Sequence, residues 1–260
     1  MSEPESPAAT APGPSGRVYF ELFLISFAIL FFELACIRWF GSTVVFLTFF
    51  TNLVLMACFL GMSVGCLAAS RKRDLINATA PMTLLAMILA GGMLWGYNNS
   101  QRVVIDMGGQ QSPQQVFFGT ERGAGDPSKF VIPVEVVAGV FYVLIALIFL
   151  GPGQVLGRRF DAVPNRITAY MLNLLGSLAG IAAFSAVSYL RLPPMVWFGV
   201  GIGLCLIFTS RYRPLQVAVA GLILGLLAFM AFQVDSWAET TWSPYYKVQY
   251  TKSNNYIYVN

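Results

Sequence analysis

The amino-acid sequence predicts an all-α integral membrane protein with about seven transmembrane helices, followed by the start of a small β-hairpin domain. The first observation behind this prediction is composition: 57% of the 260 residues are hydrophobic, 11% are charged, and the mean hydropathy is +0.67. Soluble domains have about 25% charged residues, so the composition excludes an ordinary water-soluble enzyme. It also excludes a chain that is disordered throughout, because disordered chains are poor in apolar residues.

The second observation is that the apolar residues fall into separate stretches of the length that a bilayer requires. A helix needs about 20 apolar residues to cross the hydrocarbon core. The seven candidate stretches are roughly 18–40, 43–69, 79–97, 133–151, 168–190, 194–210 and 215–232. They define a predicted transmembrane helical domain over residues 17–232.

The N-terminal segment, residues 1–16, is rich in Pro, Ala, Ser and Gly and has no apolar run, which is typical of a disordered tail. The first apolar stretch begins near Val18 and is too long and too aromatic for a cleavable signal peptide. We therefore expect this stretch to stay in the membrane.

The basic residues predict how the chain is oriented in the membrane. Three of the loops between spans carry clusters of arginine and lysine, and with seven spans all three clusters fall on the same side. The clusters are Arg71, Lys72 and Arg73; Arg158, Arg159 and Arg166; and Arg211 and Arg213. Because basic loops stay in the cytoplasm, we expect a multi-pass protein of the cell (inner) membrane with a cytoplasmic N-terminus and an external C-terminus.

The longest connection, about residues 98–132, is polar, contains Gly108-Gly109 and lacks clear periodicity. A loop of this length is either a solvated extracytoplasmic connection or a functional segment such as a lid. In the last segment, residues 233–260, Tyr246, Val248 and Tyr250 alternate with polar residues. This period of two predicts a strand, and we expect an extramembrane β-hairpin between residues 246–251 and 256–259.

Two ionisable residues, Glu33 and Arg38, lie inside the first apolar stretch. Such groups are costly at membrane depth and need a partner. At a spacing of five residues they point about 140° apart on a helix and do not pair with each other. We expect Arg38 to reach the interface and Glu33 to meet Asn52 or Asn173, so Glu33, Asn52 and Asn173 are the candidate substrate-binding residues. The alternative is a buried polar contact that fixes helix register.

Several site classes are not expected. The chain has no histidine, and the four cysteines at positions 36, 58, 66 and 205 lie in apolar runs without CxxC spacing, so we predict neither a metal site nor a disulfide. The net charge of +4 is not clustered as nucleic-acid binding requires. Glycine pairs spaced by four predict close helix packing, within the chain or between copies in a homo-oligomer. These pairs are Gly61 and Gly65, Gly176 and Gly180, Gly199 and Gly203, and Gly221 and Gly225.

Three motifs resemble one known family. The first motif consists of Glu33-Leu-Ala-Cys-Ile-Arg-Trp-Phe-Gly-Ser42 and of the following span, which ends Phe59-Leu-Gly-Met-Ser-Val-Gly-Cys-Leu-Ala68. It is similar to the first two helices of membrane-bound spermidine synthase-like proteins, which include fused major-facilitator and spermidine synthase chains. Ala169-Tyr-Met-Leu-Asn-Leu-Leu-Gly-Ser-Leu-Ala-Gly180 resembles another helix of that family. Trp242-Ser-Pro-Tyr-Tyr246 resembles the entry to the small β-domain that precedes the catalytic fold of aminopropyltransferases.

The resemblance implies membrane helices, then a short β-sheet, then a Rossmann-like domain that uses decarboxylated S-adenosylmethionine to aminopropylate putrescine. That last domain is not in this chain, which we expect to be truncated as the β-domain starts. No cofactor site and no catalytic residue is therefore carried over. Seven spans with basic loops inside would place such a domain on the far side of the membrane. The alternatives are a multi-pass transporter or polyamine-binding module, and a structural anchor held by the lipid bilayer.

Overall fold

The computed structural model describes residues 16–44, 47, 51–100, 103–106, 120–121, 130–209, 213–235, 238–251 and 256–259. Within these ranges it is mostly helical, and each of the seven predicted apolar stretches overlaps one helix. The helices are α1 (Gly16–Thr43), α2 (Thr51–Leu67), α3 (Ile76–Ser100), α4 (Val134–Ala162), α5 (Arg166–Tyr189), α6 (Pro194–Ile207) and α7 (Arg213–Asp235).

Five of the helices, α1, α3, α4, α5 and α7, are long and apolar enough to cross a membrane. Helix α2 has 17 residues and α6 has 14, which is shorter than the expected spans. The expected second span, 43–69, was too long, because α1 continues through Thr43 and α2 begins only at Thr51. The connection is as apolar as the helices, so hydropathy does not reveal the reversal, which begins in a turn where the Leu47 amide donates to the Val44 carbonyl at 2.9 Å.

The helices run alternately up and down, and three contacts identify one end of the bundle as basic. Arg159 of α4 lies 3.2 Å from Glu21 in α1. Arg158 forms a 2.6 Å ion pair with Asp74, just before α3. Gln216 of α7 donates to the Asn77 carbonyl at 2.8 Å. The described residues of the three basic clusters are therefore at the same end, as the sequence predicted, and we call it the basic end.

The opposite end holds two small sheets. In the first, β1 (Val103–Asp106) pairs in parallel with β2 (Thr120–Glu121) and with β3 (Phe130–Pro133), which leads directly into α4. These strands were not predicted, because the connection is polar and lacks clear periodicity. Strands of two to four residues are too short to show a period of two, so the pattern could not reveal them.

The second sheet, which we call the C-terminal sheet, has the antiparallel order β4 (Ala238–Trp242), β5 (Lys247–Thr251), β6 (Tyr256–Val259). Strands β5 and β6 are the predicted hairpin, with Gln249 opposite Tyr258. Strand β4 was missed, because its sequence Ala-Glu-Thr-Thr-Trp is largely polar and only Ala238 is buried. Trp242 at the end of β4 pairs with Lys247.

Two glycine pairs bring helix backbones together as predicted. A Cβ on Gly65 of α2 would lie 2.8 Å from the Gln154 nitrogen in α4, and one on Gly180 of α5 would lie 2.5 Å from the Phe27 carbonyl in α1. Gly153 and Gly157 of α4, which the sequence analysis did not single out, complete the contact with α2.

The pairs on α6 and α7 differ from this expectation. At Gly203, Gly221 and Gly225, no described atom lies within 4 Å of the position that a Cβ would occupy, and at Gly199 a Cβ would meet only a side chain at 3.7 Å. Neither pair therefore marks a close approach of two backbones within the described parts of the chain, because Gly199 meets only the Leu224 side chain of α7.

The core is centred on α1, which packs against α2, α4, α5 and α6. Its rings set the register with the neighbouring helices: Phe32 lies 5.5 Å from Phe149 of α4 and 5.8 Å from Phe198 of α6. Nearer the end of α1, Phe40 lies 6.1 Å from Phe141 of α4. Helix α1 is thus surrounded on most sides, and its polar side chains are enclosed by protein.

Candidate functional site

Glu33 lies about two thirds of the way along α1 and is enclosed by the bundle. Its side chain is 2% exposed, and neither carboxylate oxygen has a hydrogen-bond partner among the described residues. The titratable groups within its electrostatic reach include the thiols of Cys36, one turn further along α1, and Cys58 of α2. A buried ionisable group without a partner is a strong candidate for a functional site, because its burial is not compensated within the protein.

The structure does not bring the three predicted substrate-binding residues together. Asn173 of α5 pairs instead with Ser26 of α1, whose hydroxyl lies 2.8 Å from the Asn173 Oδ1 atom. Ser26 is two turns from Glu33, or about 10 Å along the helix. Asn52 lies in the first turn of α2 and is exposed. The expected pairing of Glu33 with Asn52 or Asn173 was therefore wrong.

Arg38 forms a second polar centre, at the end of the bundle opposite the basic end. Its Nη1 donates to the Ser188 hydroxyl of α5 at 2.5 Å, and its Nη2 donates to the backbone carbonyl of Ser243 after β4. The guanidinium carbon lies 4.6 Å from the centre of the Trp197 ring in α6 and 5.7 Å from that of Trp242 in β4. We call Arg38 and these four partners the Arg38 clamp.

The clamp joins the helical bundle to the C-terminal sheet. Charge-assisted hydrogen bonds contribute about 1.5–3 kcal/mol each, and a cation–π contact adds about 0.5–2 kcal/mol. The two tryptophan rings also contact each other edge to face, with centroids 4.9 Å apart. The sequence suggested that Arg38 extends to the lipid interface. In the structure, protein groups from α5, α6 and the C-terminal sheet surround its guanidinium group instead.

A turn built around Ser243 presents the carbonyl that Arg38 binds. The Ser243 hydroxyl and amide both contact the Tyr246 carbonyl at 2.9 Å, and the Tyr246 amide donates to the Ser243 hydroxyl at 2.9 Å. Pro244 limits the backbone within this turn. Residues Trp242, Ser243 and Pro244 therefore form a tight turn, and the Ser243 carbonyl in this turn accepts the hydrogen bond from Arg38 of the bundle.

Lys247 lies beside the clamp, with its ammonium nitrogen 5.8 Å from the centre of the Trp242 ring. Burial lowers the pKa of Lys247 from 10.5 to about 8. The electron-rich ring favours the charged form but does not replace the lost hydration.

At the basic end, two side chains of α4 close the turn between α2 and α3. Gln154 is fully buried; its Nε2 donates to the carbonyls of Ala68 and Arg73 at 2.9 Å, and its Oε1 accepts from the Leu75 amide at 2.8 Å. Arg158, one turn later, donates to the Ala69 carbonyl at 3.0 Å. These contacts are structural: they hold the backbone of the turn and satisfy the Leu75 amide just before α3.

Sequence reasoning missed Gln154, Ser188 and the role of Trp242. A glutamine placed four residues before an arginine, at the end of an apolar helix, was an available signal for Gln154. Nothing in the local sequence of Ser188 distinguishes it from other serines.

Among the described residues, no group of three or more His, Cys, Asp or Glu side chains could hold a metal ion. The four cysteines are free thiols, and Cys36, Cys58 and Cys205 are buried. The chemistry that the described residues offer is therefore a buried carboxyl group and a clamped guanidinium.

Comparisons with protein-family models, with curated proteins and with solved structures found no match to this chain.

Proposed function

We propose that this chain is the membrane-embedded N-terminal module of a spermidine synthase-like protein, and that it holds an extramembrane domain at the end opposite its basic loops. Five helices of spanning length support the membrane part of the proposal. The basic end would face the cytoplasm of the inner membrane, together with the N-terminus, and the C-terminal sheet would lie on the other side.

The observation that carries the proposal is a contact between two of the three motifs that resemble the family. Arg38 belongs to the first motif and Ser243 to the last, 205 residues later, and the Arg38 side chain binds the Ser243 carbonyl directly. The remaining motif also packs on the first helix, because Gly176 and Gly180 of α5 contact α1 at Phe23 and Phe27. The second and third motifs thus both contact α1, the helix that carries part of the first motif, as expected if the three serve one purpose.

That purpose is to fix the first strands of a β-domain on the membrane bundle. In the proposed protein, a Rossmann-like domain would follow the sheet and transfer the aminopropyl group of decarboxylated S-adenosylmethionine to putrescine. The residues of this chain would contribute anchoring and position, and no catalytic group.

The coding sequence beyond Asn260 provides the first test. A Rossmann-type sequence with a glycine-rich loop in the same reading frame supports the proposal, and a stop codon directly after Asn260 contradicts it. The second test is an assay of membranes that contain the encoded protein. We expect transfer of an isotopically labelled aminopropyl group to putrescine, and no transfer above that of control membranes would contradict the assigned activity.

A second candidate function is transport or binding of a polyamine, and the observation that favours it is the buried, unpartnered carboxyl group of Glu33. A polyamine ammonium group would supply the missing partner. Uptake of labelled spermidine into vesicles should then fall strongly in Glu33→Gln but not in Glu21→Gln, a matched control on the same helix at the basic end. Equal uptake by both variants and the parent would exclude Glu33 from transport.

A further inference from the structure

The anchoring role makes no use of Glu33, although this residue is the least accommodated polar group in the described bundle. Its side chain is 2% exposed and both oxygens lack a hydrogen-bond partner. An ionised carboxylate in such surroundings is very unfavourable unless a positive charge accompanies it. The question is therefore which positive charge Glu33 holds.

The described basic side chains do not supply it. On α1 itself, Arg38 points to another face and is held by Ser188 and Ser243. On α4, the level of Glu33 is that of Phe149, because the Phe32 and Phe149 rings are 5.5 Å apart, whereas Arg158 is more than two turns nearer the basic end.

The titratable groups close to Glu33 are thiols. Cys36 of α1 and Cys58 of α2 lie within its electrostatic reach, and Cys205 of α6 lies within reach of Cys36. On α4, Glu135 and Tyr142 lie nearer the opposite end of the helix, and on α5 the titratable residues Arg166, Tyr170 and Tyr189 lie near the two ends. The surroundings therefore contain neutral sulfur and hydrocarbon groups, with no counter-charge.

This chemistry distinguishes between possible cations. Hard metal ions need several oxygen ligands, and an ammonium group needs several hydrogen-bond acceptors. The Glu33 oxygens have no hydrogen-bond partner among the described residues, and the titratable side chains within its electrostatic reach are the thiols of Cys36 and Cys58. A proton needs only one carboxyl oxygen, and it removes the charge that makes burial unfavourable.

We propose that Glu33 is a proton-binding site at the contact between α1 and α2, and that the bundle packs around its neutral, protonated form. Loss of the proton leaves a bare carboxylate within electrostatic reach of Cys58, and the unfavourable burial of that charge separates α2 from α1. The inference does not depend on the spermidine synthase-like assignment, since it concerns only the helical bundle.

Infrared spectroscopy of the purified chain in lipid, with carbon-13 glutamate incorporated, tests the proposal. We expect a carboxylic acid C=O band at neutral pH that carries the isotope shift. Glu33→Gln should lose the band, whereas Glu21→Gln, which removes a carboxylate bound to Arg17 and Arg159, should retain it. If Glu33→Gln does not fold, the labelled parent still decides the matter, because absence of the band in the parent overturns the proposal.

A second measurement tests the coupling to α2. The measured quantity is the rate of maleimide labelling at Cys58 in the parent divided by the rate in Glu33→Gln. We expect this ratio to rise several-fold as the pH is raised. A ratio that stays constant overturns the coupling. A glutamate carboxylate band that changes on addition of sodium or spermidine, and that Glu33→Gln removes, overturns the proton as the ligand and favours the polyamine site instead.

Discussion

Replacement of Gly153 by alanine probes the contact between α2 and α4. A Cβ at this position would lie 2.7 Å from the Met62 Cα atom and 2.5 Å from the Met62 carbonyl oxygen. Carbon atoms in contact are normally separated by about 3.5–4.0 Å, so the helices would have to move apart by roughly 1 Å. Both obstructing atoms belong to the backbone of α2, which cannot turn away as a side chain could.

Overpacking of this kind costs about 1–3 kcal/mol, and the gain in helix propensity from glycine to alanine returns at most about 1 kcal/mol. We therefore expect Gly153→Ala to lower the free energy of unfolding by about 1–2 kcal/mol. Gly65→Ala should behave in the same way, because its Cβ would lie 2.8 Å from the Gln154 nitrogen.

The matched controls are Gly203→Ala and Gly225→Ala, on α6 and α7, where nothing described lies within 4 Å of a Cβ. These variants should be neutral or more stable by up to about 1 kcal/mol, because alanine favours the helix. Reversible unfolding by a denaturing detergent, followed by circular dichroism, measures all four variants. An equal loss of stability in the two pairs of variants would contradict the close contact between α2 and α4.

Three further predictions concern the polar contacts. Arg38→Gln should weaken docking of the C-terminal sheet by about 2 kcal/mol or more. This free energy corresponds to a roughly 30-fold faster amide hydrogen exchange in β4 and β5, with exchange in α5 unchanged. Equal exchange in the parent and the variant would show that the clamp does not hold the sheet. Gln154→Leu removes three hydrogen bonds to backbone groups and leaves the Leu75 amide without its acceptor, whereas the Ala68 and Arg73 carbonyls keep the Arg71 amide and the Arg158 guanidinium. It should cost about 1–3 kcal/mol, with faster trypsin cleavage at residues 71–73, and an unchanged cleavage rate would refute the capping role. For Lys247, burial lowers the pKa from 10.5 to about 8, so the folded sheet binds fewer protons than the unfolded chain between these values. Its stability should therefore rise as the pH increases through that window, and Lys247→Met should abolish this dependence; a parent sheet that weakens with increasing pH would contradict the assignment.

The helical part of the fold could be predicted because hydropathy and length determine where apolar helices occur. The seven stretches and the common end of the three basic loops follow from these two properties. The start of α2 could not be predicted, since residues 44–50 are as apolar as the helices on either side. Strands β1, β2 and β3 are too short for a period of two to be visible.

The candidate site could be predicted only in part. Burial of Glu33 follows from its place in an apolar stretch, but its neighbours depend on how α1 is rotated against α2 and α5. That rotation is set by glycines such as Gly176, which bring α5 against Phe23 and place Asn173 opposite Ser26. The Arg38 clamp joins residues that are 205 positions apart, a separation over which local patterns contain no information.

Labelling of introduced cysteines in intact cells tests most directly whether the bundle crosses the membrane with its two ends on opposite sides. Lys72→Cys lies in an exposed turn at the basic end, and Tyr245→Cys lies in the exposed corner of the C-terminal sheet, where the tyrosine is 84% exposed. A membrane-impermeant maleimide should label Tyr245→Cys from outside and should label Lys72→Cys only after the cells are opened. The parent chain should stay unlabelled in intact cells, and the Lys72→Cys signal in opened cells is read above that of the parent, whose Cys66 is half-buried. Labelling of both positions from the same side, or recovery of the chain in the soluble fraction, would contradict the account.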